Sequence, residues 1–125
     1  TRRSELARTS EMLEQIAGVR VKYFRPPFGA RRPVVFRIAR ALGLHPVLWP
    51  ALPNDWSERS AERIAETLSR KIDRHTRQGC AANIVLHDGG HRALGTHRGP
   101  SVEAAERLID RYKATHRFAR LDAWA

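Results

Sequence analysis

Cysteine is nearly absent from this 125-residue chain, and the single Cys80 excludes an internal disulfide. No Cys or His stands near it at the spacing of a zinc site, so it is expected to be a small buried side chain. Long apolar runs are missing too: nothing approaches the roughly 20 residues a membrane span needs. The opening Thr1-Arg2-Arg3-Ser4-Glu5 leads straight into a helix-like pattern, with no apolar stretch of the kind that marks a signal peptide. Acidic residues are in short supply, 13 against 23 basic ones, for a net charge of +10. That balance invites a nucleic acid or another anionic polymer as partner. Yet the basic residues are spread along the chain in runs no longer than two, whereas a binding footprint clusters. An arginine-rich surface is the simpler reading, and no nucleic-acid partner is expected. What is present suffices for a core: 42% hydrophobic residues suit one globular domain rather than a disordered segment.

Periodicity places the elements. Leu6, Leu13 and Ile16 recur at helical spacing over residues 4–17, and Gly18 is a plausible stop. Residues 19–24 alternate apolar and basic, then turn aromatic, which predicts a strand ended by Pro26-Pro27. Pro33 suits the first position of a second helix, with Val34, Val35, Ile38 and Leu42 as its apolar face and Gly43 as its end. Residues 46–49 read as a short buried strand. Ser57 is a candidate N-cap for a third helix, whose Ala61, Ile64, Ala65, Leu68 and Ile72 keep strict helical spacing. Residues 81–86 predict another buried strand, and Pro100 opens a fourth helix with Val102, Ala105, Ile109 and Tyr112 facing inward. Residues 118–121 predict a last strand. The order α-β-α-β-α-β-α-β argues for α/β architecture with parallel strands alternating with helices.

In such folds the chemistry sits on loops after the strands. Three loops qualify. Arg25-Pro26-Pro27-Phe28-Gly29 aims a guanidinium from a rigid turn, able to grip a carboxylate at two points, with an aromatic and a close-approach glycine behind it. On its own it is equally a proline turn with an exposed arginine. Asn54-Asp55-Trp56 sets a carboxylate beside a large aromatic, suited to orienting a histidine and walling a pocket, or to capping a helix beside a core Trp. Val85-Leu86-His87-Asp88-Gly89 ends an apolar run on a histidine, a place for general acid–base work or for a strand-capping bond to backbone. Singly each signal is weak. Together they put Arg, then Asp-Trp, then His on successive strand ends.

Those residues in that order resemble the polysaccharide deacetylase family, also called carbohydrate esterase family 4 or the NodB homology domain. Arg25-Pro26-Pro27-Phe28-Gly29 is similar to the family's third motif, Asp55-Trp56 to the end of the fourth, and Val85-Leu86-His87 to the fifth. Tyr23-Phe24, Gly43-Leu44, Trp49 and Asp88-Gly89 agree in context. The resemblance runs from the first helix to Leu121 and implies the C-terminal portion of one domain, a partial distorted (β/α) barrel. It implies hydrolysis of N-acetyl or O-acetyl groups on a chitin- or peptidoglycan-like polymer, with release of acetate and a divalent metal such as zinc. It implies that His87 is the general acid, that Asp55 pairs with it, and that Arg25 holds a catalytic base carboxylate. Phe28 would lie beside the substrate with its N–H helping an oxyanion hole, while Trp56 and Val85 would wall the acetyl pocket. An envelope or extracytoplasmic location is plausible on the same ground.

The departures are as informative. Val85 replaces the usual Leu, and Leu52 stands where the fourth motif has its first Asp. The first two motifs, a Thr-Phe-Asp-Asp-Gly-like stretch and a His-x-x-x-His-like stretch, are missing. The resemblance gives them the base and the metal ligands, so no metal-binding residue is assigned here. His87 and His91 have the right spacing, but the fifth motif already claims His87; His91 and His97 in the loop make a poor metal site. A truncated domain, inactive by itself, is expected. The alternatives are a carbohydrate-binding remnant without catalysis and a basic nucleic-acid binder.

Overall fold

The computed structural model describes residues 1–89 and 95–124. They form two compact units, Thr1–Leu48 and Trp49–Ala125. In the first, helix α1 covers Arg2–Ala17. Thr1 caps it: its hydroxyl accepts the Ser4 N–H at 3.3 Å, while the Ser4 hydroxyl donates back to the Thr1 carbonyl at 2.7 Å. Gly18 ends it in the left-handed region at φ +67°, its N–H bonded to the Glu14 carbonyl. The apolar stripe expected of this helix is not buried, since Leu13 is 48% and Ile16 78% exposed.

Strand β1, Tyr23–Phe24, pairs in parallel with β2, His45–Pro46. The ladder is short for a chemical reason. Pro26 has no N–H to carry the ladder onward past Phe24, so the pairing stops after His45 N–H on the Lys22 carbonyl and Val47 N–H on the Phe24 carbonyl, each 2.8 Å. Between the strands runs α2, Pro33–Ala41, opened by the proline as the sequence predicts. Val35, Ile38 and Leu42 are half-buried, but Val34 is exposed and the fully buried position is Ala39.

The second unit is built on α3, Ala61–Arg77, and α4, Gly99–Tyr112. Ile64 and Leu68 are fully enclosed, each worth about 1.5–3 kcal/mol of apolar burial. The cap of α3 is Ser60, whose hydroxyl accepts the Arg63 N–H, and not Ser57. Ser57 is taken up three residues earlier, donating to the Asn54 carbonyl at 3.1 Å in the preceding turn. At the other end Gly79 is left-handed, and the Cys80 N–H returns to the His75 carbonyl at 2.9 Å. Cys80 is therefore exposed beyond a helix end, not buried.

Helix α4 is rotated from its expected face. Ser101, Ala104, Leu108 and Tyr112 are buried, Ala105 is half-buried, and Val102 and Ile109 are 59% and 48% exposed. Hydrogen bonds set the rotation. The Tyr112 hydroxyl donates to the Ser69 carbonyl at 3.3 Å or to Asp73 Oδ1 at 2.5 Å, and Ser101 reaches a buried carboxylate at the opposite end. Small side chains at 101 and 104 let the helices approach. Of the strand expected over 81–86, one parallel bridge forms, Ala51 to Ile84, with Val85 N–H on the Ala51 carbonyl. The strand expected over 118–121 is absent: Phe118 is 53% exposed and a 3-10 turn follows at Leu121–Trp124. Parallel α/β pairing is thus present, as one two-stranded ladder and one bridge among the described residues, short of a closed barrel.

Candidate active site

Asp55 is the centre of the second unit's polar chemistry. Asn54 before it sits at φ +56°, a conformation that Asn tolerates better than most residues. The Asn54 carbonyl collects the N–H groups of Ser57 and Glu58, and this tight turn buries the Asp55 side chain completely. A buried carboxylate must have its lone pairs satisfied. Oδ2 accepts the His87 backbone N–H at 2.7 Å and the Ser101 hydroxyl at 2.9 Å. Oδ1 lies 2.7 Å from His87 Nδ1. A carboxylate only accepts, so Nδ1 carries the proton and Nε2 is the ring atom left for chemistry.

The chain around Asp55 is held as well. Arg98 Nη1 donates to the Asp55 carbonyl at 3.3 Å. Ser101 lies in the first turn of α4, and an anion beside a helix N-terminus is stabilised by the peptide dipoles, by about 0.3–1 kcal/mol where exposed. Trp56 meets the His87 ring edge-on, centroids 5.3 Å apart at 85°, and is itself 48% exposed. The His87 side chain is 37% exposed, so an incoming molecule can reach it. Val85, two residues before His87, is half-buried and follows directly on the bridge residue Ile84. The unit as a whole is an imidazole fixed in one tautomer with an indole in T-shaped contact beside it: an arrangement for proton transfer.

Of the residues singled out from sequence, the structure brings together Asp55, Trp56 and His87. Arg25 and Phe28 belong to the Thr1–Leu48 unit. There Pro26 is fully buried and anchors the turn, and Arg25 is exposed just before it. Phe28 takes φ +54° and is 86% exposed, followed by Gly29 at φ +65°. A left-handed aromatic costs of order 1–3 kcal/mol and persists where the surroundings impose it; here Gly29 N–H on the Pro26 carbonyl and Ala30 N–H on the Pro27 carbonyl close the turn. Two contributors went unread in the sequence. Ser101 follows a helix-opening proline and looks like generic helix-start chemistry. Arg98 is one arginine among many. Only the distance between segments identifies them.

The divalent metal implied by the resemblance finds no matching donor set among the described residues. Among the described residues no three His, Cys, Asp or Glu side chains converge. His91 lies outside the described residues. His97 is exposed, its ring placed where a Cβ on Gly99 would collide with it. No helix among the described residues is long and apolar enough to cross a membrane.

A family model described as polysaccharide deacetylase matches residues 1–47. The chitooligosaccharide deacetylase of Azorhizobium caulinodans is 34% identical over 86 residues, 68% of this chain and 38% of that protein. The bifunctional xylanase/xylan deacetylase of Cellvibrio japonicus is 30% identical over 87 residues, 70% of this chain and 12% of that protein. The chain thus spans well under half the length of either relative. Among solved structures, the Bc1960 peptidoglycan N-acetylglucosamine deacetylase superposes with a TM-score of 0.73 at 25% identity, covering 98% of this chain and 53% of its own. A family 4 pseudoenzyme from Bacillus anthracis shares the fold, with TM-score 0.67 at 24% identity over 90% of this chain and 35% of its own. Sequence and fold agree that the chain belongs to the polysaccharide deacetylase family, matched over part of that family's length.

Proposed function

We propose that this chain is the C-terminal portion of a metal-dependent carbohydrate deacetylase domain and supplies its proton donor. One observation carries the reading: a solvent-reachable histidine, His87, whose Nδ1 is bonded at 2.7 Å to a fully buried carboxylate, Asp55. In the proposed step the doubly protonated ring gives its Nε2 proton to the departing sugar nitrogen as the acetyl C–N bond breaks. Asp55 offsets the ring's positive charge and keeps Nε2 pointed outward. Trp56 and Val85 bound the acetyl group, Phe28 lies beside the sugar, and Arg25 grips the carboxylate of a base that this chain lacks.

The substrate class is an acetylated polysaccharide. Relatives named for chitooligosaccharide, xylan and peptidoglycan support that class without selecting within it. Such polymers make an envelope or extracytoplasmic setting the natural one. A barrel completed by further strands is the architecture that fits the family. A bound metal would polarise the acetyl carbonyl and activate water, and the described residues do not provide its ligands. The isolated chain is accordingly inactive. A second reading, a glycan-binding remnant, is favoured by the exposed rings of Phe28 and Trp56; glycan binding by the isolated chain, abolished by Trp56→Ala, would distinguish it.

The test is a chimera. This chain replaces the matching segment of the Azorhizobium caulinodans enzyme, and acetate release from chitooligosaccharides is measured. The chimera is expected to turn over, and His87→Ala to lower kcat by about 10²–10⁴-fold. A folded chimera whose acetate release ignores His87 would overturn the proposal.

A further inference from the structure

We infer that Ser101 is a positioning residue for His87, acting through Asp55. Its bearing on catalysis rests on the deacetylase reading; its hold on the ring does not. The two oxygens of the Asp55 carboxylate have different partners. Oδ2 takes two donors, the His87 N–H and the Ser101 hydroxyl, leaving Oδ1 for the imidazole. Remove the hydroxyl and the backbone N–H still holds Oδ2, but with one donor the carboxylate can turn about its Cβ–Cγ bond. The ring then loses its fixed partner. Ser101 is 4% exposed, so water is a poor substitute for Asp55 as its acceptor.

The same turn holds the backbone of Asp55 as well as its side chain. Arg98, whose carbonyl accepts the Ser101 N–H at 3.0 Å, donates from Nη1 to the Asp55 carbonyl. The first turn of α4 therefore sets both where Asp55 sits and how its carboxylate is rotated. A serine at this third helical position that merely served the helix start would accept the backbone N–H of Arg98, the N-cap residue. Ser101 points it across 46 residues of sequence instead.

The experiment compares Ser101→Ala, Ser101→Thr and Ser101→Cys. In the 125-residue chain, imidazole-resolved NMR follows the His87 Nδ1 proton. Wild type and Ser101→Thr should show a downfield, slowly exchanging resonance, and Ser101→Ala a broadened or lost one. In the chimera, Ser101→Ala should lower kcat about tenfold at unchanged KM, with Thr recovering most of the loss. An unchanged Nδ1 resonance in folded Ser101→Ala, or a Thr variant no better than Ala, overturns the inference. Should Ala prevent folding, Cys keeps the volume with only a weak donor and should behave as Ala was expected to; a Cys variant equal to wild type overturns it too. Absence of acetate release from the chimera with Ser101 intact would count against the deacetylase reading, while the NMR arm still decides the role of Ser101.

Discussion

The Asp55→Asn substitution keeps the side chain's size and turns one acceptor into a donor. Only one orientation of the amide satisfies the site. Its oxygen must stay where Oδ2 is, facing the His87 N–H and the Ser101 hydroxyl, so its NH2 must face the ring. Nδ1 must then accept, and the ring proton moves to Nε2. The expected outcome is a stability change below about 1 kcal/mol, because every bond is remade. Alongside it, the tautomer reverses in nitrogen-resolved NMR, and kcat of the chimera falls by at least about a hundredfold. Retention of Nδ1–H in the variant would refute this account of the pair. At this scale the sequence was informative where a residue's chemistry is unusual for its setting. A histidine ending an apolar run and an acid beside a tryptophan stand out. Ser101 and Arg98 are ordinary residues in ordinary company, and their partners are 46 and 43 positions away. Cys80 misled for a different reason: its place is set by the backbone of a helix end, not by its apolar side chain.

Among the elements, helices were more legible than strands, because a helix satisfies its own backbone and a strand needs a partner. Residues 19–24 alternate well, but only Tyr23–Phe24 finds a mate in β2. For α3 the apolar spacing gave the buried face directly. For α4 the expected stripe of Val102, Ala105 and Ile109 lost to that of Ser101, Ala104 and Leu108, and Tyr112 is buried as expected. That outcome is measurable. Leu68→Ala should lose about 2–5 kcal/mol of stability, whereas Ile109→Ala, at 48% exposed, should lose less than about 1 kcal/mol by denaturant titration. Equal losses would restore the rejected face. Tyr112 joins the two helices and gives a pH dependence. Burial, and next the hydrogen bond to Asp73, raise its pKa above the usual 10.0. The folded protein then keeps a proton that the unfolded chain has released. Stability from this group is complete below about pH 10 and is lost as pH rises through the raised value. Tyr112→Phe should therefore be less stable than wild type at pH 8, and the gap should narrow in thermal melts taken above pH 10. A gap constant to pH 11 would contradict the burial of this phenol.

For the whole molecule, α/β order was legible from periodicity, and the family from three short loops whose signals are weak singly and rare in combination. The extent of the sheet was not, because pairing depends on neighbours that no local pattern names. The Asp55 hub shows what such distant contacts do to the folding reaction. It ties residues 32 and 46 positions apart in the chain to one buried carboxylate. Closing those loops costs chain entropy before any bond repays it, so the local packing of α3 comes first and the hub locks afterwards. Asp55→Ala should then speed unfolding in stopped-flow measurements while leaving the refolding rate nearly unchanged. A carboxylate kept for its chemistry would thereby also set how long the second unit stays folded.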